Sequence, residues 1–281
     1  MTSSRKEEAL TSLTDGIAAL TTSARWQDWL TAQSRFHRYS FNNVILIQFQ
    51  DPDATRVAGF HTWKSLGCSV RKGEHAIWIL APMTRKVAAE DTEQADDTKP
   101  GARLLFGFKP VPVFDIRQTD GEPLPEVCSR LQGDEPGVYT QLIAVARSIG
   151  YTVQEDYLTG GTNGDCNFTE HLIRVEVRNE ARQQVKTLAH ELTHAMLHED
   201  FESRPLAELE AESVAFIVCS NLGIDSSDYS FGYVTTWAGG ADEAIVQIKA
   251  SGSRIQATAD RILGSLDSTT THSGSTGERA A

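Results

Sequence analysis

The stretch Leu188-Ala189-His190-Glu191-Leu192-Thr193-His194-Ala195-Met196-Leu197-His198 constrains this chain more than any other. A His-Glu-x-x-His pattern is expected by chance about 0.016 times in a chain of this composition, so coincidence explains it poorly. On a helix, His190 and His194 stand only about 40° apart and present two imidazoles to one point, the arrangement zinc chelation needs. Glu191 lies about 100° from His190, beside that point, where a carboxylate can take a proton from a water. Val185, Leu188, Leu192 and Met196 supply the apolar face behind the histidines, and Asn179 is placed to cap the helix.

A zinc site that does chemistry needs a third protein ligand and an open position. The next helix, opened by Ser203 and Pro205, carries Glu208, Glu210 and Glu212. Glu208 and Glu212 share a face that a short connection turns toward the histidines, whereas Glu210 points away and is expected in solvent. Either Glu208 or Glu212 can complete the site. His198, one turn beyond His194, reads as a group that supports a ligand from behind or rims the site, with ligation as the alternative, and His198, Tyr229 and Tyr233 are candidates to assist at the carbonyl.

These residues resemble the gluzincin type of zinc metallopeptidase, especially the ImmA/IrrE-like group. The resemblance implies Zn2+ as cofactor, held by His190, His194 and Glu208. It also implies Glu191 as general base and Glu212 as a carboxylate orienting a histidine. The chemistry so implied is amide hydrolysis by a metal-activated water.

The rest of the chain divides by charge. Net charge is −12, yet residues 1–86 hold 11 Lys/Arg against 7 Asp/Glu and residues 87–281 hold 15 against 31. A basic N-terminal part followed by an acidic remainder suggests two functions. With 40% hydrophobic residues, 5 Trp and 11 Phe, global disorder is excluded. No apolar run approaches the roughly 18–20 residues of a membrane span, and the N-terminus lacks the apolar block of a signal peptide. Cys68, Cys128, Cys166 and Cys219 form no Cys-x-x-Cys pair, so reduced thiols in a cytoplasmic protein are expected.

Spacing predicts a helix over residues 4–22, a second with Ser23 as its candidate cap running through Phe36, a short apolar segment after Ser40-Phe41-Asn42-Asn43 that is helix or buried strand, and a short helix from Thr62 stopped by Gly67. Strands are expected at 75–80 and 104–114, the latter an edge because of Pro110 and Pro112. Residues 87–101 read as a disordered acidic loop. Beyond a boundary near 134–137 come a helix at 139–148, strands at 151–154 and 171–177, the two helices of the metal motif and an aromatic loop at 228–240. A last helix follows over 241–266. The expected fold is α+β: an N-terminal α+β domain over 1–135, then, as the metallopeptidase resemblance implies, a zincin-like domain over 136–266 with its motif helix on a small sheet, and a disordered tail over 267–281.

In the N-terminal half, Trp63 and Trp78 offer stacking surfaces, while Lys64, Arg71 and Lys72 offer charge for phosphates, the combination single-strand binders use. The segments containing Asn42-Asn43, Thr62-Trp63-Lys64, Val70-Arg71-Lys72-Gly73 and Val113-Phe114-Asp115 resemble, in order, the single-stranded-DNA-binding domain of ArdC-type antirestriction proteins. That family joins this domain to a zincin-like metallopeptidase. The resemblance covers most of residues 24–225 and departs from the family at the acidic insertion, the 230–240 loop and Asp115, where Asn is common. It implies single-stranded DNA as a partner, with Asn43, Trp63, Lys64, Arg71 and Lys72 as contacts. It further implies an unidentified protein substrate and protection of incoming plasmid or phage DNA. The alternatives are a non-catalytic occluding protein with a structural zinc, or a regulatory protease that cleaves a repressor.

Overall fold

The computed structural model describes residues 2–86, 103–121, 135–201, 203–224 and 241–273. The expected acidic loop at 87–101, the aromatic loop at 228–240 with Tyr229 and Tyr233, and Cys128 lie outside the described residues. The fold mixes helices and sheets, as expected of the α+β class.

The chain forms two compact units, Met1–Gly16 with Ile45–Leu124 and Ile17–Val44 with Pro125–Ala281. The domain boundary expected from the sequence lies at 135, within the second of these units. Helix α2 (Ser23–Arg35) packs on α7 (Arg204–Asn221), and the fully buried Trp26 donates its indole N–H to Ser213 Oγ at 3.1 Å. The segment 17–44 therefore shares a core with the metal motif rather than with the N-terminal strands. Thr22, not Ser23, caps α2 by accepting the N–H of Arg25.

In the first unit, strands β1 (Val57–Ala58), β4 (Arg103–Asp115) and β3 (Ile77–Lys86) form an antiparallel sheet in the order β1-β4-β3. Strand β1 covers only Phe114 and Asp115, so Pro110 and Pro112 sit where β4 has a partner on one side alone. The ambiguous apolar segment lies in helix α3 (Phe41–Gln50), following α1 (Thr2–Ala19) and α2. Helix α4 (Phe60–Ser65) ends two residues before Gly67, whose φ of 78° few other residues adopt. Strands β2 (Ser69–Val70) and β5 (Thr119–Asp120) pair beside it.

The second unit centres on a sheet in the order β6-β8-β7. Strand β6 (Thr152–Asp156) runs parallel to β8 (Leu172–Glu176), and β7 (Gly164–Asn167) runs antiparallel to β8 at one edge. Helices α5 (Glu135–Ser148) and α6 (Ala181–Leu197) pack together, and α6 lies on β7 and β8 with α7 against its other side. Helix α8 (Ala241–Ser273) inserts Ile248, Ile255, Ala259 and Ile262, all fully buried, and packs on α7 and α5. It continues seven residues into the expected tail, of which 274–281 lie outside the described residues. No helix among the described residues is long and apolar enough to cross a membrane.

Candidate metal centre

Helix α6 buries Val185, Leu188, Ala189 and Leu192 completely, which turns His190 and His194 toward α7. Glu180, not Asn179, is the residue at the N-cap; the Asn179 amide donates instead to Asn163 Oδ1 at 3.1 Å. Met196 is only half-buried, so the apolar face fades toward the C-terminus of the helix.

His190, His194 and Glu208 each offer one donor atom to a common point. Nε2 of His190 lies 3.1 Å from Nε2 of His194, and Glu208 Oε2 lies 3.4 Å and 3.8 Å from those two nitrogens. Bonds of about 2.0–2.1 Å in a tetrahedral shell separate ligands by roughly 3.3–3.4 Å, so this donor set fits a small divalent cation. Glu212 stands outside the cluster. Its Oε2 is 3.2 Å from Nδ1 of His190, and its other oxygen is 3.6 Å from Lys186 Nζ.

Both nitrogens of His198 are engaged behind the converging donor atoms, one of them by the cluster's own His194. Nδ1 of His198 is 2.9 Å from Nδ1 of His194 and its Nε2 is 3.3 Å from Glu210 Oε2. The His198 nitrogens are therefore not among the donor atoms of the cluster. Glu210, expected in solvent, is fully buried and takes hydrogen bonds from Ser251 and Arg254 on α8. The correction follows from the surroundings of α7, which has neighbours on several sides and so has little solvent face.

The electrostatics follow from these contacts. Burial pulls the His190 imidazole down, but hydrogen bonds to Glu208 and Glu212 overcome it and hold the ring at about 9. Those same histidine contacts keep Glu208 well below the usual carboxylate range. Burial raises Glu191 above that range. The Cys166 thiol is pushed up to about 12, by burial first and then by the charges of Glu191 and Asp165, so it stays protonated. Cys68, Cys166 and Cys219 form no disulfide among the described residues.

The cluster opens into a cleft of about 560 Å3 lined by Cys166, Phe168, Glu191, His194, Phe201 and Glu208. Strand β7 forms one wall, and it had no clear signal in a Gly-rich, polar stretch. A smaller cavity of about 300 Å3 adjoins Glu191, Lys186 and Glu212.

The residues expected to touch DNA are not assembled as one surface. Trp63 is fully buried and donates its indole N–H to the Phe114 carbonyl at 2.8 Å, so it has no face for a base. Arg71 ties the turn after β2 to the segment that ends in β5, bonding the carbonyls of Thr119 and Arg117 and the carboxylate of Glu74. Trp78 is half-buried with the Arg5 guanidinium 4.2 Å over its ring. Lys64 and Lys72 are exposed, whereas Asn43 belongs to the other unit. Phe60 is exposed on the same helix as Lys64 and was not anticipated. Asp115 is fully buried; it accepts the N–H groups of Thr55, Arg56 and Arg117 and the Arg117 side chain. A carboxylate serves all these donors, which accounts for Asp rather than Asn.

Residues 8–114 match the family model for the N-terminal domain of anti-restriction factor ArdC. Over that stretch the chain is of the ArdC type. The crystal structure of the ArdC protein from the R388 plasmid with Mn(II) bound superposes with a TM-score of 0.55. The identity is 19%, covering 90% of this chain and 96% of that one. The metal-free form of the same protein gives a TM-score of 0.50 at 20% identity, over 81% of this chain and 85% of that one. An uncharacterized Bacillus anthracis protein, pXO2-81, is 27% identical over 278 residues, covering 83% of this chain and 46% of that relative. This chain thus spans under half the length of that relative. Its fold is that of the R388 protein, and its His190–His194–Glu208 cluster is suited to a divalent metal.

Proposed function

We propose that this chain is an antirestriction-type protein with a zincin-like, zinc-dependent peptidase centre in its second unit and a single-stranded-DNA-binding surface in its first. The observation that carries the reading is the convergence of three donor atoms at 3.1–3.8 Å beside a buried carboxylate, on the wall of an open cleft. A structural zinc site is closed by four protein ligands, and here the described residues supply three and leave the cleft side open.

Zinc, when bound, supplies Lewis-acid polarisation of the scissile carbonyl and of the attacking water. Glu191 takes the water's proton on its carboxylate and returns it to the leaving amine. Glu212 on Nδ1 of His190 fixes that ring's tautomer and leaves Nε2 bare for the ion. The outer edge of β7 borders the cleft, so an extended peptide can pair along it while its carbonyl faces Glu191. In the first unit, exposed Lys64 and Lys72 supply charge for phosphates.

Glu191→Gln tests the reading. Metal content and DNA affinity should be unchanged, while cleavage of a restriction or repressor protein, followed by mass spectrometry, should fall roughly 10²–10⁴-fold. Protection of incoming DNA fully retained in the variant would assign the function to binding instead of proteolysis.

A further inference from the structure

The second unit contains a buried polar chain that the peptidase mechanism does not use. Arg254 and Ser251 on α8 both bond Glu210 on α7; Glu210 meets His198, and His198 meets His194. The Ser251 hydroxyl is 2.6 Å from Glu210 Oε1, and Arg254 Nε is 3.0 Å from Oε2. The Glu210 side chain is fully buried and that of His198 is 2% exposed, so no bulk water competes for these contacts.

Hydrogen bonding gives this chain a direction. An ionised carboxylate only accepts, so Nε2 of His198 must carry the hydrogen it shares with Glu210. In the neutral ring, Nδ1 of His198 is then an acceptor. Its neighbour 2.9 Å away, Nδ1 of His194, must donate. The remaining nitrogen of His194, Nε2, is left with a bare lone pair, and it is this atom that faces Nε2 of His190 and Glu208. The two histidines of the cluster are thus served alike. His190 has a carboxylate directly behind it in Glu212, and His194 has one a single imidazole further back in Glu210.

We infer that Glu210 and His198 are positioning residues that hold His194 in its metal-binding tautomer and orientation, and that α8 supports the centre by fixing Glu210 through Ser251 and Arg254. The inference rests on the reading of His190, His194 and Glu208 as a metal centre. It gives the last helix a role at the site although none of its residues lines the cleft.

The test uses the full chain and Zn2+ alone. Competition with a chromogenic chelator should show Zn2+ bound 10–100-fold more weakly by His198→Phe and by Glu210→Gln than by the wild type, the usual cost of losing such a partner. Co2+ bound in place of Zn2+ should show an altered visible spectrum in both variants, which loss of packing elsewhere would not produce. Long-range nitrogen–proton NMR of the zinc-loaded wild type should find His194 protonated at Nδ1 and His198 at Nε2. That measurement decides the matter even if a variant fails to fold. Zn2+ affinity within twofold of wild type in both variants, or the opposite tautomer at His198, overturns the inference. A wild-type chain that takes up no Zn2+ overturns the metal-centre reading itself, a distinct result.

Discussion

Glu208 and Glu212 stand one turn apart on α7 and meet opposite nitrogens of one imidazole: Glu208 Oε2 is 3.4 Å from Nε2 of His190, and Glu212 Oε2 is 3.2 Å from its Nδ1. The roles follow from the side on which each carboxylate falls. Glu208→Ala should abolish tight binding of a divalent metal, because two histidines alone leave half the shell to water. Glu212→Ala should keep the site and weaken it about 10–100-fold. Metal analysis after gel filtration, with chelator competition, separates the two; the reverse order of severity would exchange the assignments.

The metal motif was legible because its information is local. One helical period fixes where His190, Glu191 and His194 point, and α6 needs no distant residue to present them. The choice between Glu208 and Glu212 was not local, since both occupy one face and the packing of α7 on α6 decides which atom arrives. Glu210 was misjudged for a related reason. A residue on the far side of a helix meets solvent only if nothing covers that side, and its cover comes from Ser251 and Arg254, more than forty residues on. Trp63 and Arg71 carried the residue types of a nucleic-acid surface, but composition does not tell an indole facing solvent from one bonded to the Phe114 carbonyl. The grouping of 17–44 with the second unit rests on contacts such as Trp26 with Ser213, which no spacing within 17–44 could reveal.

Gly164 makes β7 a usable wall. A Cβ there would lie 2.5 Å from Thr187 Cγ2, 3.0 Å from the Arg174 carbonyl oxygen and 3.2 Å from Glu191 Cγ. Its φ is not in the left-handed region, so alanine meets only a steric penalty. Gly164→Ala should cost about 1–3 kcal/mol, as overpacking usually does, read from the denaturant midpoint. It should also impair any activity through Glu191. Unchanged stability would mean that β7 shifts outward at no cost.

Glu176 provides a pH-dependent anchor away from the metal. The Arg178 side chain, then the N–H groups of Arg178 and Leu158, hold its carboxyl down at about 2 despite some desolvation. A depressed folded value adds stability that is fully present above the unfolded value of about 4.3. That stability is lost as pH falls from there through about 2. Glu176→Gln should therefore be less stable than wild type near neutral pH, with the difference narrowing as the pH falls toward 2. Parallel denaturant midpoints for the two proteins across that window would show that Glu176 is not linked to folding.

In the first unit, α4 separates the structural aromatic from the available one. Trp63 points inward and is fully buried, while Phe60 and Lys64 lie one turn apart on the exposed side. Trp63→Ala should cost about 3–5 kcal/mol of stability, as expected for a large buried aromatic, which would obscure any effect on DNA. Phe60→Ala should leave the thermal midpoint near that of wild type and weaken binding of an oligo(dT) strand by up to about 1–3 kcal/mol, the worth of one stacked base. Lys64→Ala with Lys72→Ala should reduce the slope of log affinity against log salt by about 0.7 for each phosphate that is no longer neutralised. Arg71→Ala should act mainly on stability, since its guanidinium is committed to Glu74 and to the carbonyls of Thr119 and Arg117. Fluorescence anisotropy of the full chain at several salt concentrations distinguishes these outcomes. A salt slope unchanged by the double lysine variant, together with full affinity in Phe60→Ala, would exclude this face of α4 and the Lys72 turn from the DNA-binding surface.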